Sequence, residues 1–328
     1  MELSIELKNR IEEEIDKVDI KKIKEAALNI SLRYRQKNEN KIKIRLINNK
    51  EEAVAYAASR MPATYGAIYN VLKHCIERIN LDNNNENRIN SLLDVGAGTG
   101  AATWASIELL DIKDILCIEN DEYMLDMYKV LLKNIKDNIN IEYEKKNLIT
   151  DEIDNKKDIV IVSYVINEIK KEERYKILNK LLNATNKILI IIEPGTPEGF
   201  ETIKDIRNYF IEKNQSILAP CPHRMKCTIE DNDWCSFSQR ISRSKIHKIL
   251  KDGDVPYEDE KFSYIAINKM DAIKAENIVL RHPIIEKGKI TCKLCTNKGI
   301  IENKIITKKD KDLIKIAKKI NAGDILKW

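Results

Sequence analysis

The chain is 328 residues long, with 43% hydrophobic and 33% charged residues and a formal net charge of +5 at pH 7. No apolar run is long enough to cross a bilayer, so the composition excludes a membrane-spanning protein and predicts a soluble one with no membrane partner. The weakly basic balance permits a nucleic-acid partner without requiring one.

The N-terminal segment, MELSIELKNRIEEEIDKV, is too acidic for a transit peptide and lacks the continuous apolar stretch of a secretory signal. A cytoplasmic location is therefore expected, where clustered cysteines serve as metal ligands or reactive thiols more often than as disulfides. Helical periodicity runs through residues 1–85, with a break at Pro62, and predicts an N-terminal helical region. An Asn-rich connector, LDNNNENR at 81–88, then leads into a second domain over 86–328.

The second domain alternates short apolar runs with helical segments, which is typical of an α/β fold with a parallel sheet. Five strands are predicted before residue 195, in SLLDVG, DILCIEN, INIEYEK, DIVIVSYV and KILIIIEPG. After Pro194 the periodicity ends, and residues 194–240 are predicted to form an irregular, cysteine-rich insertion. Strands in KFSYIAINKM, GKITCKLC and GIIENKIIT are expected to complete the sheet, and those near 290–296 to close the insertion. The segment KKDKDLIKIAKKI is predicted to be a basic helix.

A glycine-rich turn follows the first predicted strand in LLDVGAGTGAATWA. Glycines without a Cβ let a ligand approach the backbone where the N–H groups of the next helix point outward. An acid at the end of the second strand can accept both hydroxyls of a ribose. This order predicts a nucleoside-cofactor site formed by Asp94, Gly96, Ala97, Gly98, Gly100, Glu119 and Asn120. The G-x-G-x-G spacing resembles motif I of class I S-adenosylmethionine-dependent methyltransferases, which implies that cofactor and a Rossmann-like methyltransferase fold.

No residue is assigned a catalytic role. The strand DIVIVSYVINEI lacks the Asn/Asp-Pro-Pro-aromatic motif of enzymes that methylate amino groups of nucleic-acid bases, which weighs against that reaction. Glu168 is either a general base or a carboxylate that interacts with a helix dipole. Pro220-Cys221 is superficially similar to the nucleophile of cytosine C5-methyltransferases, but neighbouring thiols at intervals favour a metal site over a nucleophile.

The cysteines fall into two groups, Cys221, Cys227 and Cys235 as C-x5-C-x7-C, and Cys292 and Cys295 as C-x2-C. Four converging thiolates hold either tetrahedral zinc or a four-iron cluster, and this spacing alone leaves both open. The remaining two cysteines of the seven lie in apolar patterns and are predicted to be core residues.

Several segments together resemble the Rsm22-type mitoribosomal small-subunit methyltransferase-like family. They are MPATYGAIYNVL at 61–72, the glycine turn, EPGTPEGF at 193–200, CPH followed by a cysteine and WCSF, and LCTNKG at 294–299. The resemblance implies a [4Fe-4S] cluster held by Cys221, Cys227, Cys235 and Cys295. Cys292 is the competitor for the fourth position, although it lies on the opposite face of a predicted strand from Cys295. The ending KINAGDIL departs from the family's usual Trp-Gly-Asp.

Two functions follow from these observations. The first is an S-adenosylmethionine-dependent methyltransferase that acts on or at small ribosomal subunit rRNA and carries a structural cluster. The second is a non-catalytic assembly factor of the small ribosomal subunit that keeps the fold and the cluster for RNA binding. The C-terminal lysines are either a solvated helix face or contacts to RNA phosphates. The C-x3-C-x2-C motif of radical enzymes is absent, and the oligomeric state is not predicted.

Overall fold

The computed structural model describes residues 1–40, 45–79, 88–135, 138–230, 232–251, 254–273 and 275–327. Most of the predicted connector, residues 81–87, lies outside this range. The described helices are α1 (Ile5–Asp16), α2 (Ile20–Asn40), α3 (Lys50–Ser59), α4 (Met61–Ile76), α5 (Ala101–Leu109), α6 (Glu122–Leu131), α7 (Lys171–Asn183), α8 (Pro197–Glu212), α9 (Lys245–Leu250) and α10 (Leu313–Ala317). None of them is long and apolar enough to span a membrane.

The described strands are β1 (Ser91–Val95), β2 (Asp114–Glu119), β3 (Asn140–Lys145), β4 (Lys157–Ser163), β5 (Thr185–Pro194), β6 (Ser216–Ala219), β7 (Phe237–Ser242), β8 (Tyr257–Asn268), β9 (Asn277–Val279), β10 (Ile284–Glu286), β11 (Lys289–Thr296) and β12 (Ile301–Thr307). The chain divides into two compact units. The first comprises residues 1–69, 90–152 and 239–260, and the second comprises residues 70–89, 153–238 and 261–328. The predicted domain boundary near residue 85 stays a prediction.

The first unit contains a parallel arrangement of β1, β2 and β3, with β2 in the middle. Leu92, Leu93 and Ile115 are fully buried, because strands covered on both faces need apolar side chains on both. Helix α5 connects β1 to β2, and α6 connects β2 to β3. This alternation brings the carboxyl ends of the parallel strands to one edge, which is where ligands of open α/β sheets bind.

The second unit contains a four-stranded group in the order β4-β5-β8-β6. β4 and β5 are parallel. β8 runs antiparallel to both of its neighbours, β5 and β6. The central strand β5 has five consecutive buried residues, Ile188 to Ile192. The predicted α/β pattern of strands and helices is therefore confirmed in both units.

A separate antiparallel sheet of the second unit is formed by β9, β10, β11 and β12. The prediction that GKITCKLC and GIIENKIIT complete the main sheet is therefore wrong. The reason lies in their alternation, because from Lys289 to Leu294 the buried residues of β11 are Ile290, Cys292 and Leu294, which share one face. These side chains pack with Ile306 and Leu326 in a small core of their own.

The segment after Pro194 is more regular than predicted. Helix α8 occupies 16 residues of it, and β6 follows. Thr196 caps the helix, since its hydroxyl oxygen accepts the N–H of Gly199 at 3.1 Å, and Pro197 stands at the first helical position. Phe200, Ile203 and Phe210 form its buried face. The irregular part of the predicted insertion is therefore limited to the loop between β6 and β7.

Candidate functional site

The glycine loop of the first unit lies between β1 and α5. All three of its glycines have positive φ angles, 65° at Gly96, 56° at Gly98 and 91° at Gly100, which L side chains rarely adopt. The N–H of Gly96 donates to the carbonyl of Ile118 at 2.8 Å and holds the loop against β2. A Cβ added to Gly98 would meet only the methyl of Met124, at 3.5 Å. The backbone at Gly98 is thus accessible to close approach by a ligand.

Glu119 ends β2 beside this loop. Its Oε2 accepts the N–H of Gly98 at 2.8 Å, and its Oε1 accepts the N–H groups of Asn120 and Asp121, both at 2.8 Å. Burial raises the pKa of this carboxyl, and the three backbone donors oppose that shift. Because a carboxylate offers about four acceptor positions, Oε2 retains room for a ribose hydroxyl. Ala97 is nearly buried in the loop, and its N–H donates to a β2 carbonyl at 3.2 Å.

Asp94 lies below the loop and is almost completely buried. Its Oδ2 accepts both the N–H of Thr103 at 3.1 Å and the hydroxyl of Thr103 at 2.8 Å. Burial raises the pKa of Asp94 to about 7, although the Thr103 bonds act in the opposite direction. In this arrangement Asp94 fixes the first turn of α5, so its effect on a cofactor in the loop is indirect.

A second carboxyl group lies at the end of β5, in the second unit. Glu193 is fully buried, and its Oε1 accepts the N–H groups of Ile166 at 2.7 Å and Asn167 at 3.3 Å. Its Oε2 has no hydrogen-bond partner among the described residues, and neither has the buried side-chain oxygen of Asn167. Burial raises the pKa of Glu193 to about 8. Tyr164, which follows β4, has a strained φ of 60°.

The four predicted ligand cysteines line one cavity of the second unit. Its volume is about 40 Å³, and Cys221, Cys227, Cys235 and Cys295 all border it. Cys292 is not among the lining residues and is completely buried in the small apolar core instead. The predicted separation of Cys292 and Cys295 onto opposite faces of one strand is therefore confirmed for β11.

The thiols of this cavity affect one another electrostatically. Burial raises the pKa of Cys235 well above its usual value, and the three other thiols add to the increase. Burial and the neighbouring thiols raise the pKa of Cys295 to about 12. Burial also raises the pKa of Cys221, but the guanidinium of Arg207 lowers it. Four cysteine sulfurs on one cavity, with the guanidinium of Arg207 beside one of them, are a suitable donor set for a thiophilic metal centre, whose binding would displace the thiol protons.

Arg207, on the buried face of α8, organises the loop that carries the first thiol. Its Nε donates to the Sγ of Cys221 at 3.3 Å, and its Nη2 donates to the carbonyls of His223 at 3.0 Å and Met225 at 2.7 Å. The ring Nε2 of His223 lies 3.5 Å from the Sγ of Cys295. The guanidinium thus connects α8, the loop and one thiol in a single bonded group.

Further bonds attach the same loop to the remainder of the second unit. The indole N–H of Trp234 donates to the carbonyl of Gly195 at 2.9 Å, and Asp233 accepts bonds from Arg281 at 2.5 Å and Lys293 at 2.8 Å. The hydroxyl of Thr228 donates to the carbonyl of Gly299 at 2.7 Å. The cysteine loop is therefore held in place by polar contacts on both sides of Cys227.

In the structure, the four thiols are not arranged as the ligands of one metal ion. Within the described ranges, no group of three or more His, Cys, Asp or Glu side chains has the arrangement of a metal site. All seven cysteines are free. The metal cluster predicted for the insertion is thus not seen, whereas the convergence of its four cysteines on one cavity is.

The parallel strands followed by helices, the glycine loop after β1 and the acid after β2 define a class I methyltransferase-type α/β protein. Comparison with known families assigns it further. The model of the family described as "Mitochondrial small ribosomal subunit Rsm22" matches residues 50–327. The chain belongs to this Rsm22 family, and the predicted family resemblance is confirmed.

Two kinds of curated relatives are similar over 84% of the chain. The human mitochondrial ribosome assembly protein METTL17 is 23% identical over 295 residues, and this alignment covers 62% of that protein. The mitochondrial Rsm22-cox11 tandem protein 2 of Schizosaccharomyces pombe is 22% identical over 336 residues, with 43% of its length covered. The chain therefore spans between two fifths and two thirds of the curated relatives that it matches.

Solved methyltransferase structures show a weaker likeness. Magnesium protoporphyrin IX methyltransferase from Synechocystis with bound S-adenosylmethionine has a TM-score of 0.41 at 13% identity, covering 74% of this chain and 97% of that one. The N-methyltransferase NodS from Bradyrhizobium japonicum has a TM-score of 0.40 at 9% identity, covering 64% and 89%. These scores are low, so the fold class rests on the strand pairing.

Two residues of these sites were missed by the sequence reasoning. Glu193 ends the apolar run KILIIIE. A carboxyl at the end of a buried strand needs hydrogen-bond partners, so this pattern could have indicated a buried polar site. Arg207 follows Ile203 by four residues and precedes Phe210 by three, so it interrupts the apolar face of α8. A cation in a buried helical face indicates a specific partner.

Proposed function

We propose that this protein binds S-adenosylmethionine in the glycine loop of its first unit and acts on or at the rRNA of the small ribosomal subunit. Membership in the Rsm22 family over residues 50–327 carries this proposal. The human relative's description as a ribosome assembly protein supports it. A cytoplasmic location is part of the proposal.

In the proposed cofactor site, the carboxylate of Glu119 accepts a ribose hydroxyl at its remaining acceptor position. The open backbone at Gly98 allows the cofactor to approach, and Asp94 keeps α5 in register through Thr103. The cofactor supplies an electrophilic methyl group when bound. The contribution of the chain is orientation, which provides a large part of the acceleration in direct group transfer.

The proposed cofactor site is tested by replacing Glu119 with Gln. Glutamine keeps the side-chain size but loses the charge that accepts the hydroxyl, and hydrogen bonds to charged groups contribute about 1.5–3 kcal/mol. We therefore expect S-adenosylmethionine to bind roughly 10- to 150-fold more weakly in isothermal titration calorimetry. Asp126→Gln, on an exposed position of α6, is the control. Equal affinities for the Glu119 variant and the wild type would refute this site.

The same proposal assigns a [4Fe-4S] cluster to Cys221, Cys227, Cys235 and Cys295. Its support is the common cavity of the four thiols together with the Arg207 guanidinium beside Cys221. Such a group, when bound, supplies a cross-link between the loop and β11, and with four protein thiolates it offers no open position to a substrate. Zinc is the alternative metal for the same four sulfurs.

A pair of matched variants tests the ligand set. Cys295→Ser should abolish the broad visible absorption and the iron content of anaerobically purified protein, whereas Cys292→Ser should retain about four irons per chain. Both changes place a hydroxyl on β11. The Cys295 change alters the cysteine cavity, whereas the Cys292 change alters the small apolar core. A colourless wild-type protein that contains one zinc would show that the metal is zinc rather than iron. Iron loss in the Cys292 variant alone would refute the assignment of Cys295.

A non-catalytic assembly factor is the second candidate function. It is favoured by the description of the human relative, which names ribosome assembly. Labelled S-adenosylmethionine and small-subunit precursor particles separate the two functions. Label transfer to the rRNA supports the enzyme. Co-sedimentation with the particles and cofactor binding without label transfer supports the assembly factor.

A further inference from the structure

Positive charge is concentrated at the C-terminal end of the chain. Residues 277–328 contain thirteen Lys or Arg and five Asp or Glu, a net charge of +8, whereas the whole chain carries +5. The first 276 residues therefore carry a net charge of −3. Clustered positive charge raises the local electrostatic potential of the surface, and such a potential attracts a polyanion.

The structure gathers part of this charge around one groove of the second unit. We call it the lysine groove, and it is lined by Ile285, Glu286, Gly288, Lys289, Ile290, Lys308, Lys311, Ile314, Lys315 and Lys318. Five of these ten residues are lysines and one is an acid. The lysines come from the start of β11, the turn after β12 and the region of α10, and all five are exposed.

Most acids near the groove are already engaged. Glu286 pairs with Lys289 at 3.2 Å, and Asp312 pairs with Lys315 at 3.3 Å. Asp310 accepts the N–H and the hydroxyl of Thr307 at 2.8 and 3.1 Å.

The other three lysines of the groove are left without such a neighbour. In the part of the chain that the structure describes, no carboxylate lies within ion-pair distance of Lys308, Lys311 or Lys318. Three exposed ammonium groups around one groove repel each other, and an anionic partner relieves this repulsion.

We propose that the lysine groove binds the phosphodiester backbone of RNA, and this inference rests on the proposed function at small-subunit rRNA. Lysine acts as a point charge that suits phosphates and carries little sequence information. The apolar floor of the groove, with Ile285 and Ile314, accommodates the hydrocarbon stems of the lysines. The lining contains no aromatic side chain on which a base can stack. The groove therefore holds RNA without reading its sequence.

The groove shares a strand with the cysteine cavity. Lys289 begins β11, and Cys295 lies near its other end. At about 3.3 Å per residue, the two positions are about 20 Å apart along the strand. A metal centre that fixes β11 to the cysteine loop would thus also fix one side of the RNA surface.

The test is a triple variant, K308Q/K311Q/K318Q, compared with K170Q/K171Q/K176Q on exposed positions around α7. Both remove three positive charges from the second unit. The probe is an in vitro transcript of the small-subunit rRNA, titrated at several salt concentrations. Each phosphate contact contributes about 0.7 to 0.9 to the slope of log affinity against log salt, or about fivefold to eightfold in affinity at 0.1 M salt. We therefore expect the groove variant to bind roughly 100- to 500-fold more weakly and its slope to fall by about two to three.

The expected result is that the control variant retains the affinity and slope of the wild type, with unchanged circular dichroism in both variants. An unchanged slope in the groove variant, with wild-type binding intact, overturns this inference but leaves the proposed function standing. Failure of the wild type to bind the transcript overturns the proposed function itself. Polyglutamate and phosphatidylserine vesicles are titrated in parallel. If the groove variant loses binding to only one of these two ligands and still binds the transcript like the wild type, the groove belongs to that partner and the RNA proposal is overturned.

Discussion

Glu193→Gln should change how the stability of this protein depends on pH. Burial raises the pKa of Glu193 from 4.5 to about 8, so the folded protein holds this proton more tightly than the unfolded chain does. The resulting stability is complete below pH 4.5 and is lost as the pH rises towards 8. Between pH 5 and pH 8 this group alone should lower the free energy of unfolding by roughly 3 kcal/mol.

Glutamine removes this dependence because it does not ionise. Its amide oxygen can still accept the N–H groups of Ile166 and Asn167, which bind Oε1 of the glutamate. The variant should therefore match the wild type to within about 1 kcal/mol at pH 5 and exceed it by roughly 2–3 kcal/mol at pH 8.

Urea unfolding of both proteins at pH 5, 6, 7 and 8 measures the difference directly. The pH dependence that arises from other buried acids, including Asp94, is common to both proteins and cancels. Glu172→Gln, at an exposed position in the first turn of α7, is the control and should leave the wild-type curve unchanged. If the Glu193 variant and the wild type give parallel curves across this pH range, the carboxyl is ionised in the folded protein and the reasoning is refuted.

Two further predictions concern packing in the second unit. Arg207→Gln should lower the free energy of unfolding by about 2 kcal/mol or more, because it leaves backbone carbonyls without donors, and it should reduce iron retention in anaerobically purified protein. Lys213→Gln, at the exposed C-terminal end of the same helix, removes a positive charge away from the cavity and should do neither. Gly199→Ala should reduce soluble expression and thermal stability severely, because the new Cβ would lie 2.0 Å from the carbonyl oxygen of Pro194. Gly288→Ala has open space around the new Cβ, so it should lower the free energy of unfolding by only about 1 kcal/mol, because of its φ of 88°. Similar melting temperatures for the two glycine variants would contradict the packing argument.

Much of the first unit was predictable from sequence. Continuous apolar runs specify strands covered on both faces, and three glycines followed by an acid at the next strand end specify the loop. The structure adds that Asp94 is occupied by Thr103 and that Glu119 already accepts three backbone N–H groups. Such local bonds are not visible in a residue pattern, because they depend on which side-chain rotamer the folded loop permits.

The second unit was harder to predict. Helix α8 was missed because Gly199 and Pro197 near its start read as a loop, although its apolar positions recur at helical spacing. The assignment of β11 and β12 to the main sheet was wrong, because strand order in a sheet depends on long-range pairing rather than on local composition. The separation of Cys292 and Cys295 onto opposite faces, in contrast, followed from the two-residue period of a strand, whereas the choice of Cys295 as a ligand came from the family resemblance.

The contacts around the cysteine cavity bear on what a metal centre would add. Small zinc domains unfold without their metal, because few other interactions hold their ligands together. Here Arg207, Trp234 and Asp233 attach the loop to three different parts of the second unit, all with direct hydrogen bonds. Because these hydrogen bonds hold the loop without involving a metal, we expect the metal-free protein to stay folded. A centre bound there would draw together thiols that already border one cavity, so its loss would loosen the loop and β11 locally rather than unfold the chain.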